Sequence, residues 1–336
     1  MVKALVLLSG GLDSMLAARV LLDQGVEVTG LSFKSNFFNT LKAKKAAEQL
    51  DIELIEVDFS DEHLAMTKNP AHGYGKNMNP CIDCHALMLK KAKEIMEKDG
   101  YDFVATGEVL GQRPMSQHRD ALDIVEKISG LKGKLIRPLC AKLLNESESE
   151  KQGKLIRGRL LDISGRSRAR QLELVKKYNI KEYASPGGGC LLTDPEFSEK
   201  LLKMLEYWPD CSSNDIALLK SGRVIWLKDE NDKNVLLVIG RDEKCNEQLE
   251  KAAAAGDILI QPVQENGPTS LLRGINNYNM GKNEREIDVP EELKMSEFRI
   301  GENKGGEELV NVALILTGYY ATKSRGKKIK LNIINN

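Results

Sequence analysis

Aromatic residues are scarce in this chain of 336 residues, at 5% of the total, which argues against a surface built on base-stacking aromatic platforms. Excess charge of either sign is absent, since 49 Lys and Arg are matched by 49 Asp and Glu. The chain is therefore no histone-like polycation, and a nucleic-acid partner has to be held by a local basic patch. No apolar run approaches the roughly 18 residues of a membrane span, and Leu5–Leu8 is too short for the core of a signal peptide. A cytoplasmic protein with no membrane partner is expected. Six cysteines are too few for a disulfide scaffold in such a chain and point to thiol chemistry or a metal site. Hydrophobic residues at 41% suffice for a buried core, and the length favours two domains.

The first half alternates strand and helix. Val2–Leu8 is continuous and apolar, as a strand buried on both faces requires. Asp13–Gln24 has a helical period and stops at Gly25; Glu27–Phe33, Thr40–Leu50 and Ile52–Asp58 continue the rhythm as strand, helix and strand. His85–Lys98 is helical, and Phe103–Thr106 is another short strand. This is the grammar of an α/β, doubly wound parallel sheet, whose ligands bind beyond the carboxyl ends of the strands. Leu144–Gly153 is polar and acidic and reads as an exposed loop, Arg166–Tyr178 as a basic helix, and Ser185–Gly189 as irregular. After Trp208 the pattern becomes that of a smaller α+β domain. Strands are expected at Val224–Leu227, Val235–Ile239 and Ile258–Gln261, with helices at Cys245–Ala255 and Glu307–Tyr320. The expected domains are 1–208 and 213–336.

Ser9–Ser14 reads SGGLDS between a buried strand and a helix. Gly10 and Gly11 let backbone N–H groups approach an anion, the helix N-terminus adds partial positive charge, and Ser9 and Ser14 offer hydroxyls. Asp13 is out of place in a pure anion nest, and a carboxylate beside phosphates is best explained by Mg²⁺. No Gly-Lys-Ser/Thr follows, so the loop is not a Walker A. The bland alternative is a helix capped by a Gly-Gly turn. Cys81 and Cys84 form C-x-x-C in NPCIDCH at a helix start, where a lowered thiol pKa is expected. Cys190 follows a glycine-rich stretch in which Gly187, Gly188 and Gly189 leave its sulfur unobstructed. These thiols can be read as apolar filler, as a zinc site completed by His85 or His72, or as a sulfur-transfer site. Cys140, Cys211 and Cys245 have no partner spacing and read as structural.

The SGGLDS loop resembles the pyrophosphate loop of the ATP pyrophosphatase (PP-loop) superfamily, whose members split ATP into AMP and pyrophosphate while adenylating a carbonyl oxygen. NPCIDC resembles the N-P-x-x-x-C motif of tRNA 2-thiouridylases, with Cys84 at the motif cysteine. Thr106–Gln117, TGEVLGQRPMSQ, resembles the TGE-x-LGQ…SQ segment of tRNA 4-thiouridine synthases. The resemblance implies a tRNA thiouridine synthase of the three-cysteine kind, with Cys81, Cys84 and Cys190 holding a [4Fe–4S] cluster. It implies ATP and Mg²⁺ bound by Ser9, Gly10, Gly11, Asp13, Ser14, Gly107 and Gln112, with Ser32 and Phe33 near the adenine. Asp13, Cys84 and Cys190 would stand nearest the chemistry, and sulfide or a cysteine desulfurase would donate sulfur. 4-Thiouridine is the expected product; 2-thiouridine, or a zinc-binding amide- or nitrile-forming synthetase that does not act on tRNA, is the alternative.

Arg157, Arg159, Arg166, Arg168 and Arg170 crowd one segment and form the best candidate RNA backbone patch, against a plain solvated face. Residues 213–336 resemble the NFACT-R domain through VIGR at Val238–Arg241, GDILIQP at Gly256–Pro262, GPT at Gly267–Thr269 and Ala313–Thr322 with its basic tail. That resemblance implies RNA contacts from Arg241, Lys323, Arg325, Lys327 and Lys328. No RNA-binding extension of the 4-thiouridine synthase kind precedes Ser9, so the C-terminal domain is expected to dock the tRNA. A homodimer is one assembly the reading allows.

Overall fold

The computed structural model describes residues 1–113, 115–184, 189–264, 266–275, 283–294, 298 and 301–336. The chain divides into two compact units, Met1–Ser198 and Glu199–Asn336. The division falls ahead of the 208–213 stretch expected from composition. The reason lies in Trp208, whose indole N–H donates to the Asn234 carbonyl at 3.2 Å and whose ring stands edge-on to Trp226, both in the second unit. No helix among the described residues is long and apolar enough to cross a membrane.

The first unit is built on a five-stranded sheet in the order β3-β2-β1-β4-β5, every pairing parallel. Its strands are β1 (Lys3–Leu7), β2 (Glu27–Lys34), β3 (Leu54–Asp58), β4 (Phe103–Ala105) and β5 (Leu135–Ile136). The helices are α1 (Leu12–Leu22), α2 (Leu41–Leu50), α3 (Ser60–Lys68), α4 (Cys81–Asp99), α5 (Arg119–Ser129), α6 (Glu148–Lys151) and α7 (Ala169–Tyr178). α8 (Pro195–Tyr207) runs across the division. Both sheet faces are covered: one core joins Val6, Met15, Leu16 and Val28 to Leu160 and Ile163, the other joins Leu5, Leu31 and Phe59 to Leu89 and Val104. The continuous apolar strands of the sequence are what such two-sided burial demands. The strand order reverses between β1 and β4, so the crevice beyond their carboxyl ends lies between the segments after Leu7 and after Ala105.

Two local expectations need correction. The acidic Leu144–Gly153 stretch is largely exposed but is no plain loop, because Ser147 opens α6 in a reciprocal capping box with Glu150, and Ser147, Ser149 and Glu150 are buried. Charge did not keep Glu150 in water, since Arg157 pairs with it at 2.6 Å. The basic helix begins at Ala169 and not at Arg166.

The second unit holds α9 (Ser213–Lys220), β6 (Arg223–Asp229), β7 (Asn234–Ile239), α10 (Glu243–Ala252), β8 (Ile258–Pro262), β9 (Ser270–Arg273), β10 (Asn283–Asp288), β11 (Asn303–Lys304), α11 (Gly306–Tyr320) and β12 (Lys328–Asn335). Its mixed seven-stranded sheet runs β10-β12-β8-β9-β7-β6-β11. Leu309, Ala313 and Leu316 of α11 pack on Leu237, Ile260, Leu272 and Leu331 of the sheet. Arg273 ties the unit internally, bonding Asp257 at 2.6 Å and Asp215 at 2.7 Å.

Beneath β4 a buried ion network fixes the segment that leaves it. Arg137 donates from Nε to Glu108 at 2.9 Å and from Nη1 to Glu126 at 3.0 Å, and Arg137 and Glu108 are 3% and 7% exposed. Burial pushes the Glu108 carboxyl up, but Arg137 and then His85 outweigh it and bring its pKa down to about 2. A carboxylate depressed in the folded state contributes stability above its unfolded pKa, near 4.5, that is lost as pH falls towards 2. Glu108→Gln should therefore flatten the fall in melting temperature between pH 4.5 and 2.5 relative to wild type. Arg137→Met, which strands that carboxylate, should destabilise by about 3–5 kcal/mol at neutral pH, read by urea unfolding.

Candidate active site

The segment after β1 is a tight glycine turn that leads into α1. Gly10 takes φ +75°, and a Cβ there would lie 2.3 Å from the Lys42 carbonyl oxygen, so only glycine fits. Gly11 is the N-cap of α1, a residue with no side chain to cap the helix. The hydroxyls shape the loop from inside: Ser14 donates to the Gly11 carbonyl at 2.8 Å, and the Gly11 N–H donates to Ser9 Oγ at 3.3 Å. Among the described residues no side chain caps this helix N-terminus, which carries one carboxylate, Asp13.

The segment after β4 lies directly against this loop. A Cβ on Gly107 would meet the Asp13 carbonyl carbon and the Ser14 nitrogen at 2.5 Å, so the two backbones touch at the switch point. Gln112 Nε2 donates to Asp13 Oδ2 at 2.7 Å. Ser116 and Gln117 are buried, and Gln117 accepts from the Gly111 N–H at 2.7 Å, closing the segment on itself. Ser32 and Phe33, at the carboxyl end of β2, are 5% and 4% exposed, and Phe33 packs on Phe59. Core packing takes up the Phe33 ring, and both residues are paired with β3 in the sheet.

The thiols stand on a chain of contacts from this junction. His85 Nδ1 donates to Glu108 Oε1 at 3.1 Å, and Glu108 follows Gly107 in sequence. Cys84, the neighbour of His85 on α4, is buried. Cys81 opens α4, and Cys190 stands half-buried at the start of a short 3₁₀ turn held by Leu191 N–H to the Phe37 carbonyl at 3.0 Å. The three sulfurs influence one another. Burial, then Cys190 and Cys81, push the Cys84 thiol well above its ordinary value. Burial and Cys81 push Cys190 up to about 11, although the Leu192 backbone opposes them. Cys81 is also raised, by burial, with Arg113 opposing. This corrects the expected lowering at a helix N-terminus: desolvation outweighs the helix dipole here.

Among the described residues no three His, Cys, Asp or Glu side chains are arranged to hold a single metal ion. His72 and His85 each direct Nδ1 to a carboxylate, Asp83 at 2.8 Å and Glu108 at 3.1 Å. The imidazole at the thiols is His63, whose Nε2 lies 3.1 Å from Cys84 Sγ. It is fully buried among Phe37, Phe38 and Phe59, and burial lowers its pKa to about 4. Nothing in the spacing of His63 pairs it with Cys84; only the packing of α3 against α4 does. Gly189 faces open space, while Gly187 and Gly188 lie outside the described residues. Cys140 is buried beneath Glu108 with its sulfur donating to that backbone carbonyl at 3.4 Å, a structural position.

The five arginines differ in their partners. Arg157 is bound to Glu150 and to the carbonyls of Ala141 and Leu144. Arg170 pairs with Asp162 at 2.6 Å, and Arg168 reaches Asp13 at 3.6 Å. Arg159 and Arg166 are exposed. In the second unit Arg241, Lys323 and Lys327 are exposed, and Arg325 lies over the Tyr319 ring at 4.1 Å.

A parallel sheet with a glycine-bearing loop after its first strand and a second segment locked onto that loop at the switch point gives the first unit the doubly wound α/β architecture expected from the sequence. More narrowly, residues 1–146 match the family described as thiamine biosynthesis protein (ThiI). The chain is 34% identical over 123 residues to the tRNA-specific 2-thiouridylase MnmA of Treponema denticola, covering 31% of this chain and 32% of that protein. It is 31% identical over 148 residues to a protein named "Probable tRNA sulfurtransferase" from Finegoldia magna, covering 41% of this chain and 36% of that one. The chain thus spans about a third of the length of these curated relatives. A solved 4-thiouridine synthetase–RNA complex with bound ATP is 22% identical, covers 65% of this chain and 52% of its own, and has a TM-score of 0.38.

Gly107→Ala should separate the two loops, since its Cβ would meet backbone and not a movable side chain. A loss of at least tenfold in Mg-ATP affinity is expected, with the fold retained by circular dichroism. Isothermal titration of the purified full chain measures it.

Proposed function

We propose that the protein is an ATP-dependent tRNA sulfurtransferase that replaces a uridine carbonyl oxygen with sulfur. The observation that carries this is the contact chain Asp13–Gly107–Glu108–His85–Cys84, which joins a loop fit for Mg-ATP to three neighbouring thiols within one unit. The loop's free N–H groups and the α1 N-terminus would bind the phosphates, and Asp13 would hold Mg²⁺ against them. A uridine oxygen is a very poor leaving group. Attack by that oxygen on the α-phosphorus releases pyrophosphate and turns the oxygen into part of AMP, which then leaves when sulfur adds to the ring carbon.

The donor set of Cys81, Cys84 and Cys190 suits a group that takes one thiolate per metal atom, as the three-cysteine resemblance implies. A [4Fe–4S] cluster there would supply sulfide at the iron that has no protein ligand. His63 at the Cys84 sulfur and the surrounding phenylalanines keep water from that side. The TGE-x-LGQ segment favours 4-thiouridine as product, while the match to 2-thiouridylases supports 2-thiouridine as the second reading. Arg159, Arg166, Arg241, Lys323, Arg325 and Lys327 are the proposed tRNA phosphate contacts, with sulfide or a cysteine desulfurase as donor.

Asp13→Ala should abolish thiolation of tRNA and release of pyrophosphate in a folded protein; undiminished pyrophosphate release would overturn the proposal. Anaerobically prepared protein should carry about four irons per chain. Serine at Cys81, Cys84 or Cys190 should each remove that iron, and serine at Cys140, Cys211 or Cys245 should not, as iron and sulfide assays will show. Stoichiometric zinc without iron after anaerobic preparation would favour the synthetase alternative.

A further inference from the structure

Arg168 belongs by sequence to a cluster of arginines, yet it alone among the five turns to the phosphate loop. It is the N-cap residue of α7, a helix that packs against α1. Its Nη2 lies 3.6 Å from Asp13 Oδ2, with the two side chains 25% and 18% exposed. The chain on either side of α7 is pinned to the same place. Ser164 bridges Leu110 of the segment after β4, and the Ala184 N–H donates to the Gly10 carbonyl at 3.0 Å. Within α7, fully buried Gln171 donates to Gln112 Oε1 at 3.1 Å, and Gln112 in turn donates to Asp13. One carboxylate oxygen of Asp13 is thus held by an amide and a guanidinium. The other, Oδ1, is buried with no hydrogen-bond partner among the described residues.

An exposed RNA contact has no reason to rest on the carboxylate of an anion loop. A phosphate ligand does, because a cation bound to Asp13 would free the guanidinium, and its planar donors would then face the polyanion that accompanies the cation. We infer that Arg168 binds the triphosphate of ATP, with Gln171 and Gln112 holding Asp13 beside it. The inference rests on the proposed Mg-ATP reading of the first unit. In adenylation the bond between the α-phosphorus and the oxygen bridging to the β-phosphate breaks, and that oxygen leaves with the electron pair as pyrophosphate. A guanidinium at the phosphates stabilises the charge gained there.

The test compares the wild-type full chain with Arg168→Ala and Arg168→Lys. Mg-ATP binding is read by isothermal titration, and tRNA binding is read as a function of salt. Arg168→Ala should weaken Mg-ATP binding at least tenfold, and Arg168→Lys, which keeps the charge but loses the fork, should recover part of it. The log–log salt slope for tRNA should not change. An unchanged Mg-ATP dissociation constant overturns the inference, and a salt slope shallower by about 0.7–0.9 would then return Arg168 to the RNA contacts. Failure of the wild type itself to bind Mg-ATP overturns the nucleotide reading of the loop and this inference with it, a result distinct from a silent Arg168→Ala.

Discussion

The candidate site depends on one close approach: the backbone of Gly107 lies against the backbone of Asp13 and Ser14. At a distance where no Cβ can stand, the loop after β1 and the loop after β4 behave as a single object. Parallel strand order places both loops at the reversal between β1 and β4, and glycine lets them touch. Everything chemically interesting in the first unit hangs from this junction. Gln112 reaches Asp13 from it, Glu108 leaves it towards His85 and Cys84, and the α7 segment closes over it.

The junction is stiffened from below by charge. Arg137 is buried almost completely and satisfied by Glu108, Glu126 and the Leu122 carbonyl. A buried pair of this kind adds little net stability, because desolvation offsets most of the attraction, but losing one partner is costly. Its evident role is to fix the direction of the chain between Thr106 and Glu108, and so to hold Gly107 at the loop. Thr106 contributes by donating to Glu108 Oε2 at 3.0 Å.

Burial also sets the character of the thiols. Cys81, Cys84 and Cys190 stand in surroundings that disfavour a bare thiolate, and each ionised sulfur would disfavour the next. Sulfurs so placed are poor free nucleophiles.

Much of this was determined by local sequence. Two-sided burial wrote Ala4–Leu7 of β1 and the whole of β4 as unbroken apolar runs, and Gly10 and Gly107 marked places where backbone must come close, because a Cβ there would meet backbone atoms. Cys81 and Cys84 declared themselves by spacing on one helix turn. The sequence was silent wherever the partner is distant along the chain. His63 meets Cys84 only because α3 packs on α4, Arg137 finds Glu108 from another strand, and Glu150 goes inward only because Arg157 is there to meet it. The arginine cluster shows the limit plainly. Composition groups five like charges together, but the fold sends Arg157 to a loop, Arg170 to Asp162 and Arg168 to Asp13. Adjacent residues on a turn point in different directions, and each charge goes to whatever counter-charge the tertiary structure brings within reach.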